Sequence, residues 1–196
     1  MRPLLVATQN RHKLEEYRSL LAGLPFELRS LQDEGIDEDV DETGATFDDN
    51  ARLKADRYRD LTGLLTLADD SGIEIDALGG EPGVHSKRWA GDVDDAERNR
   101  LVLERLANVP DDGRTARFRC VIAIAEPGRQ TQTVQGKVEG VVAHVPKGSN
   151  GFGYDPIFFV PELGQTLGEV PPEVKNSLSH RARAAEAAGK VLAGMS

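Results

Sequence analysis

What the chain lacks narrows its chemistry first. It has one cysteine in 196 residues, Cys120, so no intramolecular disulfide can staple it. That cysteine lies in the apolar run Arg119-Cys120-Val121-Ile122-Ala123-Ile124, the setting of a buried strand thiol rather than a reactive one. The histidines, His12, His85, His144 and His180, are scattered, and no Cys/His set has zinc-ligand spacing. No apolar run approaches the ~20 residues needed to cross a bilayer. The short apolar opening Leu4-Leu5-Val6-Ala7 breaks at once into Gln9-Asn10-Arg11-His12-Lys13, unlike a signal peptide, so the cytoplasm is the expected location. Positive charge is scarce as well: 24 Lys and Arg against 33 Asp and Glu leave a net charge of −9. That balance lacks the basic footprint of a nucleic-acid binder, and neither nucleic acid nor membrane is an expected partner. A nucleoside triphosphate is also repelled at long range, so binding one demands a metal ion and a few placed Lys or Arg side chains.

The pattern that remains alternates strands with helices. Leu4–Ala7 is a strand, and Asn10 caps a helix with Leu14, Tyr17, Leu21 and Leu24 at helical spacing, closed by Gly23 and Pro25. A second strand covers Phe26 to Leu31, and an acidic loop follows from Asp33 to Glu42. Thr46-Phe47-Asp48-Asp49 resembles a capping box opening a second helix. Leu64 to Ala68 forms a buried strand ending in Asp69-Asp70-Ser71-Gly72, and Ile73 to Asp76 a short edge strand. A third helix spans Asp94 to Leu106. Arg117–Ala125 and Gln130–Val145 are long antiparallel strands, Ile157–Val160 another strand, and an Ala-rich helix starts near Ser177 or Ser179. The expected fold is α/β with a mixed sheet, a single domain over 1–196. If there are two lobes, the second is the 114–160 segment, and a cleft between lobes is the natural pocket.

Four clusters can carry chemistry. Thr8-Gln9-Asn10-Arg11-His12-Lys13 stands where a strand gives way to a helix, a place for phosphate, with Lys13 adding a charge; it lacks the glycines and Lys-Ser/Thr pair of a Walker A motif. Asp69-Asp70-Ser71-Gly72 puts two carboxylates after a buried strand, which suits Mg²⁺ but is also common turn chemistry. Asp41-Glu42 can supply a further ligand or belong to a solvated loop. Gly151-Phe152-Gly153-Tyr154-Asp155-Pro156 lets backbone approach a ligand and offers Phe152 or Tyr154 for stacking on a base, or is a tight turn returning two aromatics to the core. Lys175-Asn176-Ser177-Leu178-Ser179-His180-Arg181 concentrates cationic or switchable groups, and Lys54, one turn beyond Asn50, can join them.

Taken in order, these segments resemble the inosine triphosphatase family, the Ham1-like or RdgB-like XTP/dITP pyrophosphatases. The resemblance runs through Ala7 to Glu16, Glu42-Thr43-Gly44-Ala45-Thr46-Phe47 with Asn50-Ala51 and Lys54-Ala55, and Ala68-Asp69-Asp70-Ser71-Gly72. It continues through Leu78-Gly79-Gly80-Glu81-Pro82-Gly83-Val84, Gly151 to Phe158, and Lys175-Asn176 with Ser179-His180-Arg181. Two departures stand out. Gln9 and His12 replace glycines that many bacterial relatives carry, side chains able to narrow the phosphate pocket, and Gly168 stands where relatives often have Ala, a mild change.

The resemblance implies a homodimer of elongated α/β subunits: a mixed twisted sheet with flanking helices and two lobes around a central cleft. It also implies Mg²⁺-dependent release of pyrophosphate from ITP, dITP and XTP. Carried over by position, Asp70 is general base and metal ligand, with Asp41 or Glu42 as the upstream metal contact and Asp69 beside it. Thr8, Gln9, Asn10, Arg11, His12 and Lys13 hold the triphosphate, and Ser71 contacts substrate. Phe152, Gly153, Tyr154, Asp155, Lys175, His180 and Arg181 line the nucleoside site, while Lys54 assists Lys13 at the leaving group. A water bound to the metal or oriented by Asp70 attacks the α-phosphorus. Two rival expectations are a Maf-like pyrophosphatase acting on pyrimidine or modified nucleotides, and a nucleotide-binding regulator without turnover.

Overall fold

The helices begin where the sequence supplies caps. The Asn10 side chain accepts from the amides of His12 and Lys13 at 3.0 and 3.2 Å, opening α1 (Arg11–Leu20). Thr46 and Asp49 form the expected reciprocal capping box of α2 (Phe47–Thr62), which ends at Gly63 in the left-handed conformation, φ 69°. Asp94 caps α3 (Asp95–Arg105) by accepting from the Glu97 amide at 2.8 Å. Pro171-Pro172 opens α4 (Pro172–Leu178), and α5 (His180–Ala193) follows after Ser179. The sequence pattern had supplied only the second of these; a proline pair signals a break, yet proline also fits the first helical turn, where no amide partner is lost.

The computed structural model describes residues 1–195. Its strands are β1 (Arg2–Val6), β2 (Phe26–Ser30), β3 (Leu65–Ile75), β4 (Thr115–Ala125), β5 (Gln132–Val142), β6 (Phe158–Val160) and β7 (Gln165–Thr166). They form one seven-stranded sheet in the order β2-β1-β3-β4-β5-β6-β7. β1 runs parallel to β2 and β3, whereas β6 is antiparallel to β5 and β7, so the sheet is mixed and the α/β expectation holds.

One expectation fails instructively. The strand placed at Leu64 to Ala68 does not turn at Asp69-Asp70-Ser71-Gly72; β3 is a single eleven-residue strand through to Ile75. Acidic residues followed by Ser-Gly favour turns only when water solvates them, and here both carboxylates are buried. Consecutive residues on a strand point to opposite faces, which separates Asp69 from Asp70.

The chain divides into two compact units. The first comprises Met1–Asp70, Cys120–Gly136 and the residues from Arg181 onward; the second comprises Ser71–Arg119 and Lys137–His180. In the first, Leu4, Val6, Leu65, Leu67, Ile122 and Ile124 pack with Tyr17 of α1, with Leu21 just after it, and with Ala184, Ala188 and Leu192 of α5. In the second, Ile73, Ile75, Phe118, Val138 and Phe158 pack with Val102, Leu106, Tyr154 and Leu167. Burying each large side chain of this kind stabilises the fold by about 1.5–3 kcal/mol. The second unit also buries Arg114, whose guanidinium donates to the carbonyls of Val142 (2.8 Å), Leu106 (2.7 Å) and Ala143 (3.0 Å).

Candidate functional site

In the first unit a group of charged side chains gathers around β3. Lys13, in the first turn of α1, donates to Asp69 Oδ2 at 2.9 Å. Arg181, the second residue of α5, is buried with its guanidinium 3.7 Å from the same oxygen and 2.5 Å from Glu16 Oε2. Asp70 has a different set of neighbours. Its Oδ2 accepts from Asn50 of α2 at 2.9 Å, and Lys54, one turn further along α2, pairs with Glu42 at 2.5 Å.

These surroundings push the two carboxyls apart. Burial alone raises Asp69, but Lys13, Arg181 and Lys54 outweigh it and hold that carboxyl well below the usual carboxylate range. Asp70 moves the other way: burial raises it, and the Glu42 charge adds to that rise against the pull of Lys54. Burial likewise lowers Lys54, but Glu42, Asp69 and Asp70 more than reverse the effect and keep its ammonium charged.

The same group fits a hard cation. Its donors are carboxylate oxygens, and Asp70 and Glu42 repel one another, a repulsion a bound cation would relieve. Among the described residues no set of three or more His, Cys, Asp or Glu is arranged as a metal cage. Mg²⁺ does not need one, because it takes one or two protein carboxylates and fills its octahedron with water and phosphate oxygens. Asp41 is exposed, and its carbonyl accepts from the Thr43 amide at 3.1 Å.

The Thr8–Lys13 loop differs from a bare helix N-terminus. Thr8 Oγ1 accepts from the Asn10 amide at 3.2 Å, and Asn10 in turn occupies two first-turn amides. What the loop offers an anion is therefore mainly side chain: exposed Arg11 and His12, and the half-buried Lys13. Gln9 is exposed and its amide points to the Glu38 carbonyl at 3.4 Å.

The second unit builds the glycine–aromatic loop. Asp155, buried, accepts from the Phe152 amide at 2.9 Å and from Lys175 Nζ at 2.6 Å. Lys175 Nζ also lies 4.6 Å from the centre of the Phe152 ring. Gly151 has φ 74°, and a Cβ there would collide with the Asp155 carboxylate, so glycine lets the loop close around that side chain. From α3, Asp95 accepts from the Gly153 amide at 2.7 Å and Asn99 donates to the Gly153 carbonyl at 3.0 Å. Phe152 keeps exposed surface, whereas Tyr154 is buried and donates to the Ser86 carbonyl at 2.7 Å. His180 is buried with its ring stacked on Phe118, centroids 4.6 Å apart. Ser71 is half-buried at the start of this unit.

The structure thus gathers Lys13, Glu42, Lys54, Asp69, Asp70 and Arg181 in one unit, and Phe152, Gly153, Asp155 and Lys175 in the other. Residues that the sequence reading had not placed in the site also take part. Asn50 holds Asp70, Glu16 holds Arg181, and Asp95 and Asn99 hold Gly153. Asn50 and Glu16 carried a signal, both standing in family motifs and Asn50 also as a polar residue on the otherwise apolar side of α2 with Phe47, Ala51, Ala55 and Tyr58.

Comparison with known proteins identifies the family. The model of the Ham1 family matches residues 4–191. A dITP/XTP pyrophosphatase of Geobacter sulfurreducens is 49% identical, over 94% of this chain and 93% of that protein. One from Bacillus subtilis is 42% identical over 98% of each chain. The solved structure of a HAM1 protein from Coxiella burnetii superposes with a TM-score of 0.90 at 43% identity, covering 99% of this chain and all of that one. With the family model and these relatives matching over nearly its whole length, the chain belongs to the Ham1 family.

Proposed function

We propose that this protein hydrolyses purine nucleoside triphosphates bearing hypoxanthine or xanthine (ITP, dITP and XTP) to the monophosphate and pyrophosphate, with Mg²⁺. The observation that carries the proposal is the unequal pair on β3: Asp69 held by Lys13 at 2.9 Å and Arg181 at 3.7 Å, and Asp70 held by Asn50 at 2.9 Å beside the Glu42–Lys54 pair. The names of the Geobacter and Bacillus relatives support the substrate class.

Asp70 and Glu42 would hold Mg²⁺, which when bound neutralises phosphate charge and lowers the pKa of water. Asp70 then orients a water toward the α-phosphorus. As the new oxygen–phosphorus bond forms, the bond from the α-phosphorus to the bridging oxygen breaks. Pyrophosphate leaves with the electron pair, and the water's proton passes to the Asp70 carboxylate. A carboxylate is a weak base, so positioning contributes more here than proton abstraction. Lys54, kept charged by its acidic neighbours, stabilises the leaving pyrophosphate. Lys13 does the same by sharing its ammonium between Asp69 and a phosphate oxygen.

Base recognition is assigned to Phe152 and Lys175. The ring offers a stacking face and the ammonium a donor, which suits the acceptor oxygen at C6 of hypoxanthine or xanthine. Adenine presents an amino donor at C6 and leaves buried polar groups unpaired. The decisive experiment compares kcat/KM for ITP, XTP, GTP, ATP, dTTP and UTP by pyrophosphate release. A preference for ITP and XTP of at least a hundredfold over ATP is expected. Equal rates on ATP and ITP, or a preference for dTTP or UTP, overturn the proposal. A homodimer completes it, to be checked by light scattering as a particle of twice 21.3 kDa.

A further inference from the structure

Asn50 is fully buried, and the amide end of its side chain bridges two segments of backbone and side chain. Its Oδ1 accepts from the Gly44 amide at 2.7 Å, and its Nδ2 donates to Asp70 Oδ2 at 2.9 Å. One planar group therefore fixes two things at once: the approach of the segment that carries Glu42, two residues before Gly44, and the rotation of the Asp70 carboxylate. The approach is close. A Cβ on Gly44 would lie 2.5 Å from Asp49 Cβ and 2.6 Å from Asn50 Oδ1, so only glycine seats against the start of α2 here. Asn50 itself sits on α2 between the capping box that anchors the helix start and Lys54, which reaches back to Glu42 at 2.5 Å.

We propose that Asn50 is a positioning residue that sets Asp70 and the Glu42 segment in register for a divalent cation and its bound phosphate. It does not touch substrate; by holding one Asp70 oxygen it fixes the rotation of the carboxylate. Of the common residues, only a side chain with a carboxamide at this reach offers one acceptor and one donor in fixed opposition. Aspartate keeps the acceptor for Gly44 but sets an oxygen against Asp70, and leucine keeps the volume but satisfies neither partner. This inference rests on the proposed pyrophosphatase reading.

The test uses the full chain with Asn50→Ala and Asn50→Ser, folding being checked by circular dichroism. Mg²⁺ affinity is read by calorimetry with MgCl₂ alone, and kcat and KM for ITP at saturating Mg²⁺. The expected result is Mg²⁺ affinity weakened about tenfold and kcat lowered at least tenfold, with KM changed less than threefold. A folded variant with wild-type Mg²⁺ affinity and kcat overturns the positioning role, while the pyrophosphatase reading stands. A wild-type chain that neither binds Mg²⁺ nor releases pyrophosphate overturns both. Should neither variant fold, the wild-type protein still decides: the side-chain amide resonance of Asn50 must shift when MgCl₂ is added, and an Mg²⁺-insensitive resonance overturns the inference.

Discussion

Asp69 and Asp70 are consecutive on β3 and point to opposite faces, so that Asp69 meets Lys13 and Arg181 while Asp70 meets Asn50. Their adjacency in sequence hides a division of labour. Asp69 is a counter-ion inside the fold, and Asp70 is the carboxylate proposed to meet the metal ion.

Replacing them separately exposes that division. Asp70→Asn should lower turnover by two or more orders of magnitude. In metal-free protein it should leave the melting temperature unchanged or raised, because burial disfavours the Asp70 charge. Asp69→Asn strips Lys13 and Arg181 of a shared buried partner and should cost about 3–5 kcal/mol of stability, measured by urea unfolding. Equal losses of stability in the two variants would contradict the assignment.

The pH dependence follows from the direction of the Asp69 shift. Its folded pKa is depressed, so its stabilisation is fully present above the unfolded value of roughly 3.9 and is lost as pH falls through the lower folded value. The stability gap between wild type and Asp69→Asn should therefore stay constant from pH 7 to about pH 5 and narrow only below about pH 4. A gap that closes near pH 6 would show that another group carries the effect.

Gly168 offers a test of packing. A Cβ there would lie 2.5 Å from the Lys147 carbonyl oxygen and 2.9 Å from Pro156 Cα, both parts of the backbone that cannot step aside cheaply. What passes in the sequence for a mild exchange with alanine is thus a tight crossing. Gly168→Ala should destabilise the protein by about 1–3 kcal/mol, seen as a lower melting temperature.

Removal of divalent metal gives the simplest activity test. EDTA should abolish pyrophosphate release from ITP, and added MgCl₂ should restore it. Undiminished activity in EDTA would exclude the Asp70–Glu42 cation site.

How far the sequence predicted this arrangement depends on the range of the physics involved. Caps and helix starts were visible because Asn10, Thr46 and Asp49 act within three residues of themselves. The course of β3 was not, because Asp69 is buried against Lys13 and Arg181, 56 and 112 residues away along the chain. The resemblance already set Asp70 apart from Asp69, but the physical reason, strand alternation in a segment that looks like a turn, did not show in the sequence. Asn50 stood in a family motif, but its role did not show, because its partners, Gly44 and Asp70, lie on either side of it in sequence, 6 and 20 residues away. The family motifs included Asn50 along with the charged residues, but not the contacts that give it its place.

The single thiol has a use that chemistry alone would not suggest. Cys120 is fully buried, and burial with the nearby Asp69 charge pushes its pKa up to about 12. In the closed protein it is neither accessible nor ionised, so an alkylating reagent can mark it only while the surrounding core is open. Its labelling rate is therefore a built-in clock for breathing of the unit that holds Asp69 and Asp70, readable in unmodified protein without any engineered probe.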